Sequence, residues 1–179
     1  MNALAYFLWL SGLAFGALAL VEQDRGSEFS VSAPGFGTGQ PIPRAHTCDG
    51  PDRSPALTWT HVPLGTRAFA LLCDDPDAPM GTWDHWVIYN IPGSAKGLIE
   101  GLVASEHLPD GTLQGVNSWG RTGYGGPCPP PGKAHRYFFR LYALDAPLPL
   151  GAGATKAQVL AAAEGRTLAA AETMGTYER

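Results

Sequence analysis

The chain has 179 residues, 45% hydrophobic and 16% charged, which suits one folded domain with a sizeable core and excludes a disordered chain. Twelve Lys and Arg against 16 Asp and Glu give a formal net charge of −4. No basic run offsets that balance locally, so nucleic acid is excluded as a partner and any bound anion must be held by local geometry.

From Ala3 to Val21 there is no charged side chain, and the apolar run that begins at Tyr6-Phe7-Leu8-Trp9-Leu10 is long enough to cross a bilayer as a helix. Ala17-Leu18-Ala19 has the small-x-small pattern of a signal-peptidase site and precedes a polar stretch, Glu22 to Glu28, although no Lys or Arg precedes the run. Residues 1–22 are therefore expected to be a signal peptide or a membrane anchor, with membrane contact through residues 3–21. The protein would then be exported to the periplasm or cell exterior, or tethered. The alternative is an upstream extension from a mis-chosen start codon on a cytoplasmic protein. The folded domain is expected over residues 27–179.

Gly (23) and Pro (16) make up more than a fifth of the chain and fall between short apolar runs, the pattern of turns joining many strands. There is no internal repeat. Phe29 to Val31 reads as a first strand, followed by a long loop from Pro34 to Pro55 and a second strand at Leu57-Thr58-Trp59. Arg67 to Cys73 is almost continuously apolar, as in a strand covered on both faces. His85 to Ile91 is another strand, ended by Pro92-Gly93. From His135 to Leu144 the pattern alternates. His135, Tyr137, Phe139 and Leu141 share one face, and Arg136, Phe138, Arg140 and Tyr142 the other. Thr155-Lys156-Ala157-Gln158 is a capping box, so a helix is expected through Glu164 with Gly165 closing it. Leu168 to Met174 is Ala-rich and fits helix or strand. The fold class is mainly β, an antiparallel sandwich with one or two short helices.

Three cysteines cannot all pair, and no Cys/His spacing suggests zinc. Export would permit one bridge, expected at Cys48–Cys128 because both lie in Gly/Pro-rich loops. Cys73, inside an apolar strand, is expected to be a buried thiol.

The densest chemistry lies in Cys73-Asp74-Asp75-Pro76-Asp77-Ala78-Pro79. Three aspartates at a strand end repel one another and need partners, while two prolines stiffen the turn that holds them. Trp83-Asp84-His85-Trp86 sets a histidine among aromatic residues, and His135 opens the alternating strand. Between them, the run from Gly123 to Gly132 carries glycines whose N–H groups could form an anion-binding nest. A carboxylate can orient an imidazole and favour its charged form. Two imidazoles beside a Gly-rich loop then supply donors for an oxyanion. His46, His61 and His107 sit in polar loops and read as surface residues; Trp86 and the Tyr137-Phe138-Phe139 run read as core.

Asp75-Pro76-Asp77-Ala78-Pro79, His85, Gly126-Pro127 and His135-Arg136-Tyr137, in that order, resemble the motif series of the phosphatidylethanolamine-binding protein family, in particular its bacterial and archaeal Raf-kinase-inhibitor-like branch. Thr47-Cys48-Asp49-Gly50, Tyr89-Asn90-Ile91-Pro92 and Gly175-Thr176-Tyr177-Glu178-Arg179 extend the likeness, which runs from about Phe29 to the C-terminus. The resemblance implies a β-sandwich with a small pocket for phosphate, acetate or a phosphorylated head group. Carried over residue by residue, Asp75, His85 and His135 form the polar wall, and Ala78, Pro79, Trp83 and Tyr137 the less polar lining. Gly126-Pro127 is the loop that closes over the anion. The loop Cys128 to Ala134 departs from the family's pattern and sets Lys133 at the rim. Eukaryotic members carry a longer C-terminal helix, so a kinase-regulating role is not expected.

The reading is a non-catalytic binding protein for a small anion, without a cofactor, whose protein partner the sequence does not name and which could form a homodimer. Two alternatives stand beside it. One is a hydrolase using His85, Asp75 and His135 as acid and base, with Ser118 as the nearby nucleophile. The other is a metal site of two histidines and one carboxylate.

Overall fold

The computed structural model describes residues 28–179, so the apolar segment at residues 3–21 and the proposed boundary after residue 22 lie outside the described residues. Two antiparallel sheets face each other, as expected for a sandwich. The small sheet has the order β1-β2-β5, from β1 (Ser30–Ser32), β2 (Leu57–Thr60) and β5 (Gly97–Leu98). The large sheet has the order β6-β4-β3-β7-β8, from β3 (Ala68–Asp75), β4 (Trp83–Pro92), β6 (Leu113–Gln114), β7 (His135–Leu144) and β8 (Thr167–Tyr177). The helix α1 (Lys156–Ala163) starts from the expected capping box, Thr155 accepting from Gln158 N–H while the Gln158 side chain accepts from Thr155 N–H.

Period-2 alternation explains the layering. On β3 the residues Phe69, Leu71 and Cys73 point into the core between the sheets, against Trp59, Trp86, Tyr137 and Phe139. Ala68, Ala70 and Leu72 point the other way, into a second core with Val87, Tyr89, Val159 and Ala163 under the helix. A strand covered on both faces cannot alternate in polarity, which is why its sequence reads as one apolar run. Each fully buried Leu, Ile or Phe here is worth about 1.5–3 kcal/mol against exposure.

The Ala-rich segment 168–174 is strand, not helix. It pairs with β7 along its whole length, from Thr167↔Leu144 to Tyr177↔His135. Near its C-terminal end it gains a second neighbour, since Gly39 N–H donates to Met174 O and Ile42 N–H to Thr176 O. The bridge Cys48–Cys128 is formed, and Cys73 is a buried free thiol whose pKa burial pushes up, which makes it inert. His46 corrects the surface reading. It is buried, its Nδ1 donating to Arg53 O and its carbonyl accepting from the Tyr124 hydroxyl. His61 and His107 are exposed as read. Phe138 is only half-buried, lying beneath the guanidinium groups of Arg136 and Arg140.

Candidate functional site

The three aspartates at and just beyond the end of β3 have different basic residues as partners. Asp74 and Asp75 are neighbours, so they leave the strand on opposite faces. Asp74 enters the helix side, where its buried carboxylate accepts from Arg140 Nη1 and Lys156 Nζ; Lys156 also reaches Asp84, and Arg140 reaches Glu172. Asp75 stays on the inner face. Its Oδ2 accepts from His135 Nδ1 at 2.8 Å and its Oδ1 from Asp77 N–H at 2.8 Å. Asp77 is a strap. Arg136 donates to it from Nε and Nη2 at 2.8 Å and from its backbone N–H at 3.0 Å, holding its pKa down at about 2. These bonds tie the Pro76–Pro79 turn to the start of β7.

His85 reaches the same place through an irregularity in β4. Cys73 pairs with Trp86 and Asp74 with Asp84, so His85 is the extra residue of a β-bulge. The bulge reverses the facing of the strand end. Trp86 points into the inner core while Asp84 meets Lys156 on the other side, and His85 lies edge-on to Tyr137 with ring centroids 5.1 Å apart. Its Nδ1 donates to Gly125 O at 2.6 Å. Burial holds its pKa below the ordinary histidine value, outweighing the hydrogen bond to Gly125 and the negative charges of Asp75, Asp52 and Asp74, so the ring is neutral at pH 7.

These residues surround a cavity of about 350 Å³, within the range of small-ligand sites. Of the nine residues expected to form the site, Asp75, Ala78, Pro79, Trp83, His85, His135 and Tyr137 line it together. Gly126 and Pro127 do not. The Gly126 N–H is spent on Asp52 Oδ1 at 2.7 Å and the Pro127 carbonyl on Cys48 N–H at 3.1 Å. The Gly125 N–H is likewise bonded to His85 O, so the nest expected here is not open to a ligand. The loop contributes its next residues, Cys128, Pro129 and Pro130, as an apolar rim. Lys133 is exposed and lies off the lining.

Sequence reasoning missed Met80 and Trp119. Trp119 stands on a tight turn whose Asn117 Oδ1 accepts from the N–H groups of Trp119 and Arg121, and it packs edge-on against both Trp83 and His85. A large, partly exposed aromatic side chain on a stiff turn was the available signal.

Two polar atoms of lining residues are shielded from solvent. Trp83 Nε1 and the Tyr137 hydroxyl are buried without a hydrogen-bond partner. Burial, the charge of Asp75 and the approach of the hydroxyl to that carboxylate push the Tyr137 phenol far above its ordinary pKa, so it stays neutral. Asp75, His85 and His135, the acid and base of the hydrolase alternative, share the cavity. Ser118 is off the lining, its Oγ accepting from Asp84 N–H. Among the described residues no group of three or more His, Cys, Asp or Glu is placed to hold a metal ion. Asp75 and the inner nitrogen of His135 are turned toward each other instead.

Comparison with known proteins follows the same residues. A family model described as phosphatidylethanolamine-binding protein matches residues 32–178. A UPF0098 protein of Methanothermobacter thermautotrophicus is 54% identical over 138 residues, 77% of this chain and 91% of its own; one of Aquifex aeolicus is 45% identical over 156 residues, 86% and 91%. The crystal structure of YbcL of E. coli, described as a member of the mammalian PEBP family, superposes with a TM-score of 0.78 at 36% identity, over 86% of this chain and 99% of that one. A PEBP homologue of Chlamydia trachomatis gives 0.77 at 38% identity, over 84% and 97%. The chain belongs to the phosphatidylethanolamine-binding protein family.

Proposed function

We propose that the cavity holds a small oxyanion, such as phosphate, a carboxylate or a phosphorylated head group, and that the protein binds it without chemical turnover. The observation that carries this reading is the convergence on one cavity of two imidazoles, His85 oriented by Gly125 O and His135 oriented by Asp75. A hydrogen bond from an imidazole N–H to a charged guest contributes about 1.5–3 kcal/mol. Met80, Pro79, Trp83, Trp119 and Pro130 give the mouth of the cavity an apolar rim that the less polar part of a guest can pack against.

The bridge Cys48–Cys128 supports the companion proposal that the domain matures in an oxidising compartment, as export through the N-terminal segment would require. A crystal soaked in phosphate tests the binding reading. Tetrahedral density touching His85 and His135, absent in His135→Ala, is the expected result. Density that persists unchanged in the variant contradicts it.

A further inference from the structure

The bridge Cys48–Cys128 stands at the mouth of the cavity. Both cysteines are exposed to solvent, and Cys128 is itself a lining residue, set between the buried Pro127 and Pro129. A disulfide sealed in a core is shielded from thiols, whereas an exposed one is open to attack and belongs to the labile kind.

The two sulfurs are not equivalent. Arg179 Nη1 lies 3.7 Å from Cys128 Sγ, while Nε of the same guanidinium pairs with Asp49 at 3.2 Å. Charge that develops on Cys128 as the bridge breaks therefore falls beside a cation, which makes Cys128 the better departing thiolate. Cys48 is followed directly by Asp49, whose carboxylate opposes a second negative charge there.

Opening the bridge has a local effect on the cavity. The rim keeps two ties, Cys48 N–H to Pro127 O and Gly132 N–H to Arg179 O, each at 3.1 Å. What changes is Cys128, whose side chain is freed and becomes a negative charge on the lining. Among the described residues, that lining holds neither Lys nor Arg to balance it.

We propose that Cys48–Cys128 is a thiol-exchange site, and that opening it weakens anion binding in the adjoining cavity. A low-molecular-weight thiolate attacks Cys48 Sγ and forms a mixed disulfide. The Cys48–Cys128 bond breaks, and its electron pair leaves on Cys128 beside Arg179. A second thiolate then attacks the added sulfur, releasing Cys48 and carrying the two external sulfurs away as a disulfide. Two thiols are thus oxidised and the bridge gains two electrons. The coupling to the cavity rests on the oxyanion reading above; the exchange chemistry does not.

Two measurements on the folded protein test this. In the first, the protein is treated with excess glutathione at pH 8, free thiols are trapped with N-ethylmaleimide, and tryptic peptides are weighed. Peptide 45–53 carries Cys48 and peptide 122–133 carries Cys128. The glutathione adduct should favour Cys48 at least ~10-fold, and Arg179→Gln should cut that preference below ~3-fold. Cys73, a buried thiol, should escape the trap and so report that the domain stays folded. In the second, inorganic phosphate is titrated calorimetrically into the oxidised protein and into protein reduced with dithiothreitol. Affinity should fall at least ~5-fold on reduction, through the added charge. Cys48→Ser with Cys128→Ser, which opens the bridge without that charge, should lose less. An adduct that is absent or shared equally between the two cysteines overturns the proposal, as does trapping of Cys73 in step with Cys128. Equal phosphate affinity in oxidised and reduced protein also overturns it while leaving the oxyanion reading intact. No phosphate binding to the oxidised protein overturns both.

Discussion

Lys156→Met cuts the link between the helix and the strand end that carries the site. Lys156 Nζ donates to Asp74 Oδ2 and Asp84 Oδ1, and Asp74 is almost completely buried. A hydrogen bond to a buried charged group is worth about 1.5–3 kcal/mol, and the partly exposed pair with Asp84 adds at most about 1 kcal/mol. Methionine keeps the aliphatic stem of the lysine, so lost packing adds little. Asp74 still keeps Arg140, which caps the total at about 2–4 kcal/mol. Asp74→Asn should cost less. The cations it frees retain partners, Arg140 with Glu172 and Lys156 with Asp84. Combining the two changes should therefore be less damaging than the sum of the single effects by about 1–2 kcal/mol. Equilibrium urea unfolding reads each value as a midpoint shift at constant slope. A Lys156→Met protein within about 0.5 kcal/mol of the parent, or a strictly additive double variant, refutes the reasoning.

Other outcomes follow from local geometry. Gly126→Ala would place its Cβ 2.3 Å from His46 O and 2.4 Å from Asp52 Oδ1, and a loss of about 1–3 kcal/mol is expected in thermal or urea melts, because the neighbour at 2.3 Å is backbone. Asp77, with its pKa depressed from 3.8 to about 2 by Arg136, contributes stability that is present above pH ~4 and lost as pH falls toward ~2. Asp77→Asn should flatten that acid limb of the stability–pH curve, and an unaltered limb would show the strap to be inert. Replacing both Cys48 and Cys128 by Ser opens a cross-link with a sequence separation of 80. In the chain-entropy picture this lowers stability by about 4–5 kcal/mol, and an unmoved urea midpoint would contradict it.

The sequence made the inner strands legible because alternation and burial agree there. From His135 to Leu141, every second residue is buried, as the period of two demands. The continuous apolar run of β3 was equally readable, since two packed layers leave it no polar face. Strands β5 and β6 have two residues each, too few for any period to register. The stretch Ala169–Ala171 carries no polarity signal of its own and is strand only because β7 supplies its partner. The convergence of Asp75, His85 and His135 was suggested by the motif order. The bulge that turns His85 inward leaves no mark in composition, and neither does the burial of His46 beneath Tyr124. Gly126 illustrates the reverse error. A glycine that looks like a ligand-facing nest is needed because the Cys48 loop packs directly on it.

The most direct test is calorimetric titration of inorganic phosphate into the parent protein and into His135→Ala at neutral pH. The account predicts saturable one-to-one binding in the parent, lost or weakened at least ~10-fold in the variant, since removing one charge-assisted contact costs about 1.5–3 kcal/mol. No saturable heat in the parent, or equal affinity in both proteins, would contradict it.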